Sequence, residues 1–206
     1  AEVSKRAQGI ASFERGGPFS PQANYAFGEG GAGTFSDGKL TSRSKHISRE
    51  RDFFTETYIG AGAPEEIRYL AYPHVGSDNL RTVVKNLREQ YRRLGGEILF
   101  ETSLTDLVTD KGKATEVIAG EESFSADQII IAPGHSAYAT YRMLMSRGVS
   151  FRTKNFAIGC RAEHLQEEIN RTQWGIGQLK GVKAAEYRLT SEGDGKHPVY
   201  SFCMCP

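Results

Sequence analysis

A glycine-rich loop contains the side chains best suited to chemistry in this sequence. Residues 28–40 read Gly-Glu-Gly-Gly-Ala-Gly-Thr-Phe-Ser-Asp-Gly-Lys-Leu. Glycines let a ligand approach the backbone closely, and the hydroxyls, the acid and the lysine between them provide hydrogen-bond donors and acceptors. The loop therefore suits a polar ligand. Its candidate ligand-binding residues are Gly30, Gly31, Gly33, Thr34, Ser36, Asp37, Gly38 and Lys39.

The glycine spacing in this loop matches two phosphate-binding signatures, both imperfectly. Residues 28–33 fit the pattern G-x-G-x-x-G of dinucleotide-binding turns, but no β-branched strand precedes them and no helical period follows. Residues 33–39 spell the start of a P-loop, but Leu40 stands where that motif needs a hydroxyl to bind magnesium. A P-loop phosphohydrolase stays open as an alternative function. So does a purely structural loop in which Phe27 and Phe35 are anchored in the core.

A second glycine turn follows the most apolar segment of the chain. Residues 127–132 contain a continuous apolar run, which is typical of a strand covered on both faces, and the run ends at a Pro-Gly-His turn. The end of a strand leaves backbone groups free, and a glycine lets a ligand approach them. Ala132, Gly134 and His135 are therefore a second set of candidate binding residues.

The elements around these turns predict an α/β fold. An amphipathic helix is expected between Ser77 and Gly95, because apolar residues recur there every three or four positions. The apolar stripe consists of Leu80, Val83, Val84, Leu87, Tyr91 and Leu94. The period then changes to two, which predicts strands at residues 97–101, 103–109, 114–119 and 123–126. With a further helix at 136–147, this order indicates an α/β nucleotide-binding fold in which an antiparallel β-meander forms the crossover connection.

The remaining segments give weaker patterns. Residues 1–21 predict only a helical turn and a loop, residues 41–60 have no clear period, and a short helix is expected after Pro64. Beyond residue 149, part of a second α+β subdomain is expected. Its predicted elements are a strand at 156–161, a helix at 165–172 and strands at 184–189 and 199–204.

Four segments in this order resemble a known family. They are residues 27–40, residues 73–81 (Pro-His-Val-Gly-Ser-Asp-Asn-Leu-Arg), residues 132–137 (Ala-Pro-Gly-His-Ser-Ala) and residues 200–206 (Tyr-Ser-Phe-Cys-Met-Cys-Pro). Together they resemble the bacterial FAD-dependent dehydrogenases, a largely uncharacterised family near the flavoproteins with a glutathione-reductase-like FAD domain. The resemblance implies an FAD/NAD(P)-binding Rossmann-like fold for residues 1–148, and a partial substrate-facing subdomain for residues 149–206. It also implies that the usual G-x-G-x-x-G turn precedes Ala1, and that the final strand and glycine turn near the flavin follow Pro206.

The same resemblance assigns roles to individual segments. It implies that residues 30–39 pass beside the flavin ring and the pyrophosphate, that the backbone near Leu104 contacts the adenine, and that residues 132–135 close on the phosphates. His135 is either a phosphate or flavin contact or an ordinary turn residue. Lys39 is the predicted functional side chain, because a cation near the flavin stabilises the reduced ring; the alternative is a solvated loop lysine paired with Asp37. His74 is expected to be structural, since it follows a proline and precedes a helix.

The predicted reaction moves a hydride or an electron pair between an unidentified organic substrate and FAD. The partners implied are a small-molecule substrate and an electron acceptor, which NAD(P)H or another carrier would supply. A noncatalytic module that keeps the nucleotide fold is a further alternative. Cys203 and Cys205 are too close for an easy disulfide, and they are expected to be strand residues near the active region.

Composition excludes several other classes of protein. With 26 Lys and Arg against 25 Asp and Glu, the formal charge is +1, so no long-range field attracts nucleic acid or an anionic membrane. No apolar stretch approaches the roughly 20 residues of a membrane span. The three cysteines and five scattered histidines match no structural metal or disulfide framework. The sequence therefore predicts no metal site and a cytoplasmic protein.

Overall fold

The chain contains two separate structural units. The structure, a computed structural model, describes residues 1–40, 47–70 and 73–201. The units are Ala1–Phe151 and Arg152–Pro206. The assignment of residues 1–148 to FAD binding and of residues 149–206 to substrate contact stays a prediction.

Four α-helices are described in the first unit. The helices that the structure describes there are α1 (Val3–Glu14), α2 (Ser48–Gly60), α3 (Ser77–Arg93) and α4 (Tyr138–Ser146). Short 3-10 turns cover Ala32–Phe35 and Glu65–Arg68. The helices predicted at 77–94 and 136–147 are thus confirmed, with ends shifted by one or two residues.

Helix α1 corrects the prediction of a single helical turn at the beginning of the chain. It runs for 12 residues, and its buried side chains are Val3, Arg6 and Ile10. These positions are three and four residues apart, so they lie on one face of the helix. An arginine in the middle of that face interrupts the apolar period, which is why the period alone did not indicate the helix.

The core of the first unit lies between α2, α3 and the chain that connects them. Its buried cluster consists of Ala61, Ala63, Ile67, Val75 and Val83. Leu80 and Leu87 of α3 pack against this cluster, as the predicted stripe requires. The last two stripe residues, Tyr91 and Leu94, are exposed, so the stripe is buried only along the first part of the helix.

An antiparallel meander follows α3, as predicted. It contains β1 (Asp106–Asp110), β2 (Lys113–Ala119) and β3 (Glu122–Ser125), paired in that order. Lys111 and Gly112 form the first hairpin turn with φ angles of 49° and 79°, which are the positive values that a type I′ turn needs at both positions. Val117 pairs with Leu107 on one side and with Phe124 on the other. The strand predicted at 97–101 is wrong, since these residues form coil and a turn.

The buried strand predicted for residues 127–132 is also not present. These residues are coil, and Ile130 is 91% exposed. A buried strand of the kind predicted needs a neighbour on each side to accept its hydrogen bonds. Among the described strands, β1 to β3 pair only with one another, so none provides that neighbour.

The second unit contains one of its predicted elements in full. Helix α5 (Gln166–Trp174) confirms the helix predicted near 165–172. Strands β4 (Thr190–Ser191) and β5 (Val199–Tyr200) pair antiparallel, and β5 is the start of the strand predicted at 199–204. The last three residues of that predicted strand lie outside the described part of the chain. The strands predicted at 156–161 and 184–189 are wrong, because both segments are coil.

An exposed ion pair joins the meander to the end of α4. The Nε of Arg147 donates to Asp106 Oδ1 at 2.6 Å, and its Nη2 contacts Oδ2. These hydrogen bonds, with the backbone N–H of Leu107, lower the pKa of Asp106 to about 2. A carboxyl whose pKa is lowered by folding stabilises the folded state above its ordinary pKa, and this contribution is lost as the pH falls towards the lowered value.

We expect Asp106→Asn to lower the midpoint of urea unfolding of the intact protein at neutral pH. The difference from wild type should shrink between about pH 4 and pH 2, because wild type then loses the same interaction. Far-UV circular dichroism across this pH range measures both midpoints. Asp110→Asn, at an exposed position of the same strand, is the control. A gap between Asp106→Asn and wild type that stayed constant down to pH 2 would contradict the prediction.

Candidate functional site

The start of the glycine loop is held by one buried arginine from α1. Arg6 has an exposure of 0%. Its Nη2 donates to the carbonyl oxygens of Asn24 at 2.9 Å and Tyr25 at 3.1 Å, and its Nη1 donates to the carbonyl of Glu29. Burial lowers the pKa of the Arg6 guanidinium, and the charge of Glu29 opposes that change. One side chain therefore fixes both arms of the turn between residues 24 and 29.

A buried ion pair provides the second anchor of the loop. Glu29 Oε2 accepts hydrogen bonds from the backbone N–H of Val3 at 2.8 Å and from Arg88 Nη1 at 3.0 Å. Both side chains of the ion pair are only 9% exposed, and Arg88 also pairs with Glu2 at 2.9 Å. The pair links α1, the loop and α3. Glu29 Oε1 is buried and has no hydrogen-bond partner among the described residues.

Three glycines of the loop face inwards, where the protein leaves no room for a side chain. A Cβ at Gly30 would stand 2.8 Å from Val84 and closer still to Thr34 Oγ1. A Cβ at Gly38 would stand 2.8 Å from Leu80, and one at Gly28 would meet Arg6. All three have positive φ angles, of 79°, 69° and 119° respectively. Packing and backbone conformation therefore account for these glycines without any ligand.

Two other glycines face open space. Apart from the adjoining backbone, no described heavy atom lies within 4 Å of the Cβ position at Gly31 or at Gly33. Gly31 has a φ angle of 66°, so its conformation favours glycine for a local reason. Gly33 has neither a positive φ angle nor a close neighbour. Among the described residues, neither packing nor backbone conformation accounts for a glycine at position 33.

The hydroxyls of the loop are engaged within the loop. Thr34 is 1% exposed, and its Oγ1 donates to the Glu29 carbonyl at 3.3 Å. Ser36 Oγ donates to the Gly33 carbonyl at 2.7 Å and accepts from the Gly38 N–H at 3.1 Å. Both residues were predicted to bind the ligand. In the structure their hydrogen bonds shape the loop, and their contact with a ligand stays a prediction.

The end of the loop lies against residues 73–76. Lys39 forms an antiparallel bridge with His74, flanked by hydrogen bonds from Leu40 N to the Pro73 carbonyl at 2.9 Å and from Val75 N to the Gly38 carbonyl at 3.0 Å. Lys39 Nζ lies 3.1 Å from Asp37 Oδ2, and its side chain is only 16% exposed. In a P-loop this lysine and the next residue begin a helix, so the extended bridge contradicts the P-loop interpretation.

The other candidate residues belong to two further segments of the first unit. Leu104 is half-buried before β1, beside a hollow of about 510 Å³. The hollow is lined by Glu101, Thr102, Ser103, Thr105, Ala119, Gly120, Glu121 and Glu122. Leu104 was predicted to contact adenine through the backbone, and that contact stays a prediction.

The second candidate turn is exposed and is tied to α4. Ala132, Gly134 and His135 are all exposed, and Gly134 has a φ angle of 78°. The Tyr141 hydroxyl donates to the Gly134 carbonyl at 2.6 Å, while Ser136 Oγ lies 3.2 Å from His135 Nε2. Convergence of this turn and the glycine loop on one ligand stays a prediction. Cys203 and Cys205 lie outside the described residues.

Sequence reasoning missed the residues that position the loop. Arg6, Glu29 and Arg88 were not among the candidates, although they hold the loop in place. One signal was available: Arg6 occupies the face that Val3 and Ile10 bury, and a charged residue on an apolar face points to a buried arginine with partners. The ion pair of Glu29 with Arg88 spans 59 positions, so no local pattern could indicate it.

Comparison with known proteins associates the chain with an FAD-dependent family. Residues 155–206, in the second unit, match the family described as "FAD-dependent protein, C-terminal domain-like". A protein of Clostridium beijerinckii (strain ATCC 51743 / NCIMB 8052), described as an uncharacterized protein, is 44% identical over 207 residues. That alignment covers 100% of this chain and 38% of the relative, so the chain spans well under half the length of the curated relative it matches.

The length and apolar character of the helices decide whether they could cross a membrane. Among the described residues, no helix is both long enough and apolar enough to cross a lipid bilayer.

Replacing a glycine by alanine is expected to affect stability differently on the two faces of the glycine loop. Gly30→Ala should lower the free energy of unfolding by at least about 1–2 kcal/mol, because alanine in a left-handed conformation costs that much before the clash with Thr34 and Val84 is added. Gly33→Ala should change it by less than about 0.5 kcal/mol, because its Cβ points into open space. Urea unfolding of the intact protein measures both. Equal losses in the two variants would show that the assignment of faces is wrong.

Proposed function

We propose that the intact protein is an FAD-dependent oxidoreductase that moves a hydride or an electron pair between an organic substrate and FAD. The observation that carries this proposal is the match of residues 155–206 to an FAD-dependent family. The glycine loop supports it from the other unit, since a rigid loop with one open backbone face is what a nucleotide cofactor requires. The proposal includes the Rossmann-like fold for the first unit, with the meander as its crossover.

The residues of the open face fit such a cofactor. At Gly31 and Gly33 a ligand finds backbone without side chains, and a Cβ at either position would fill that space. In the proposed complex, residues 30–39 lie along the flavin and the pyrophosphate, Leu104 contacts the adenine through its backbone, and residues 132–135 approach the phosphates. FAD supplies the redox chemistry when bound, and the protein positions it and tunes its electrostatics. The electron acceptor is a nicotinamide or another small carrier.

Lys39 is the proposed tuning residue. Its side chain is mostly buried, and the described carboxylate beside it is Asp37 at 3.1 Å. A buried cation stabilises the negative charge that the cofactor gains on reduction more strongly than an exposed cation does, because water screens it less. The neighbouring carboxylate weakens this effect and also holds the ammonium in place.

A visible spectrum of the intact protein tests the cofactor directly. We expect the purified protein to be yellow, or to become yellow with FAD, at one equivalent per chain. Gly33→Ala should raise the Kd for FAD at least tenfold while unfolding at the same urea concentration as wild type, because its methyl group occupies the ligand's side of the loop. A colourless wild-type protein that cannot be reconstituted would end the proposal in favour of the noncatalytic module. Magnesium-dependent binding of ATP without FAD would favour the phosphohydrolase.

Replacement of Lys39 tests the electrostatic role. Lys39→Met should lower the midpoint potential of bound FAD by about 30 mV, which corresponds to roughly 1.4 kcal/mol for a two-electron couple, because removal of the cation destabilises the reduced state. Redox titration with indicator dyes measures the shift. Lys5→Met, which removes a lysine from an exposed ion pair with Glu101, is the control and should leave the potential unchanged. Equal potentials in Lys39→Met and wild type would remove the proposed role.

A further inference from the structure

Three titratable side chains meet where the end of the glycine loop crosses residues 73–76. Asp37 Oδ2 lies 3.1 Å from Lys39 Nζ and 3.6 Å from His74 Nδ1. Asp37 is a carboxylate near His74, and Lys39 is joined to His74 by the backbone bridge. The carboxylate therefore lies between a cation and an imidazole, and its separation from the imidazole is an ion-pair distance, longer than a hydrogen bond.

The backbone holds this cluster rigidly. Gly76 N donates to the Asp37 carbonyl at 3.0 Å, in addition to the hydrogen bonds that flank the bridge between Lys39 and His74. Beneath the crossing, Val75 is 1% exposed and belongs to the hydrophobic core. Gly38 is buried against Val75 and Leu80. The backbone that carries the cluster thus packs on the hydrophobic core.

The side chain of His74 keeps part of its surface exposed. Its exposed fraction is 28%. When Nδ1 donates its hydrogen towards Asp37, Nε2 is the free acceptor, and no described residue bonds to Nε2. An imidazole with a carboxylate near one nitrogen and no described partner at the other can transfer a proton to a substrate that reaches it.

We propose that His74 is the proton-transferring residue of the oxidoreductase, with Asp37 as its positioning residue; this inference rests on the proposed function. The substrate class is a carbonyl compound, including quinones, or the corresponding alcohol. In carbonyl reduction, the N–H bond at His74 Nε2 breaks as the O–H bond of the product forms. The electron pair arrives as a hydride from reduced FAD, so the carbonyl compound is reduced, FAD is oxidised, and water returns the proton to Nε2.

The test uses the full-length protein with bound FAD and a proton-consuming probe. The enzyme is reduced by light in the presence of EDTA and mixed anaerobically with 1,4-benzoquinone, and the return of the oxidised flavin band is followed. Ferricenium, which takes electrons without a proton, is the parallel acceptor. The wild-type rate with benzoquinone should fall as the pH rises, because the imidazolium is the donor. His74→Gln should be about 100-fold slower and lose this pH dependence, while its rate with ferricenium stays within twofold of wild type.

Matched variants separate the proton role from a structural one. His197 forms a similar pair with Asp194, at 3.0 Å, but its side chain is 84% exposed, so His197→Gln should behave as wild type with both acceptors. Asp37→Asn should slow only the benzoquinone reaction, and nitrogen-15 spectra should show a changed tautomer ratio at His74. A His74→Gln protein that binds FAD and matches wild type with benzoquinone at every pH would overturn this inference and leave the proposed function standing. A wild-type protein that cannot hold FAD would overturn both.

Discussion

The buried guanidinium of Arg6 is the constraint on which the glycine loop depends. A turn without regular structure leaves its carbonyl oxygens without partners, and burying them unpaired is costly. Arg6 supplies donors to the carbonyls of Asn24, Tyr25 and Glu29 from one rigid, planar group. A lysine has the same charge but lacks the branched, planar guanidinium, so it could not donate to the same three carbonyl oxygens at once. The ring of Phe35, whose centroid is 4.8 Å from the guanidinium carbon, covers the charge further.

This anchoring gives the loop two distinct faces. The space beside the inner glycines is filled by the side chains of Arg6, Val84 and Leu80. Arg88 compensates the charge of Glu29. The outer glycines at 31 and 33 have no such neighbours. Stability and ligand binding therefore reside in different residues of the same short segment. A loop of this kind can present its backbone to a ligand without reorganising, because its own interactions already determine its shape.

The sequence could predict the elements whose patterns are local. Helix α3 follows its apolar stripe, and the meander follows its alternation and its hairpin turns at Lys111-Gly112 and Gly120. The glycine loop could also be chosen as the candidate site, because glycines and polar residues alternate within it. Helix α1 could not be recognised, since its buried face contains Arg6. The positions of Arg88 beside Glu29 and of His74 beside Asp37 depend on contacts between distant parts of the chain, which no short window contains.

The apolar run at residues 127–132 is a case in which the local pattern predicted an element that the structure does not contain. Its composition favours a strand covered on both faces, and that preference is a property of the residues themselves. A strand of this kind gains its stability from neighbouring strands, whose hydrogen bonds and apolar side chains must both be supplied. The described strands of the meander turn back on one another instead, so Ile130 stays exposed to water. The strand preference of this segment can therefore be predicted from its residues. Whether a strand forms depends on neighbouring strands, which the residues of the segment do not specify.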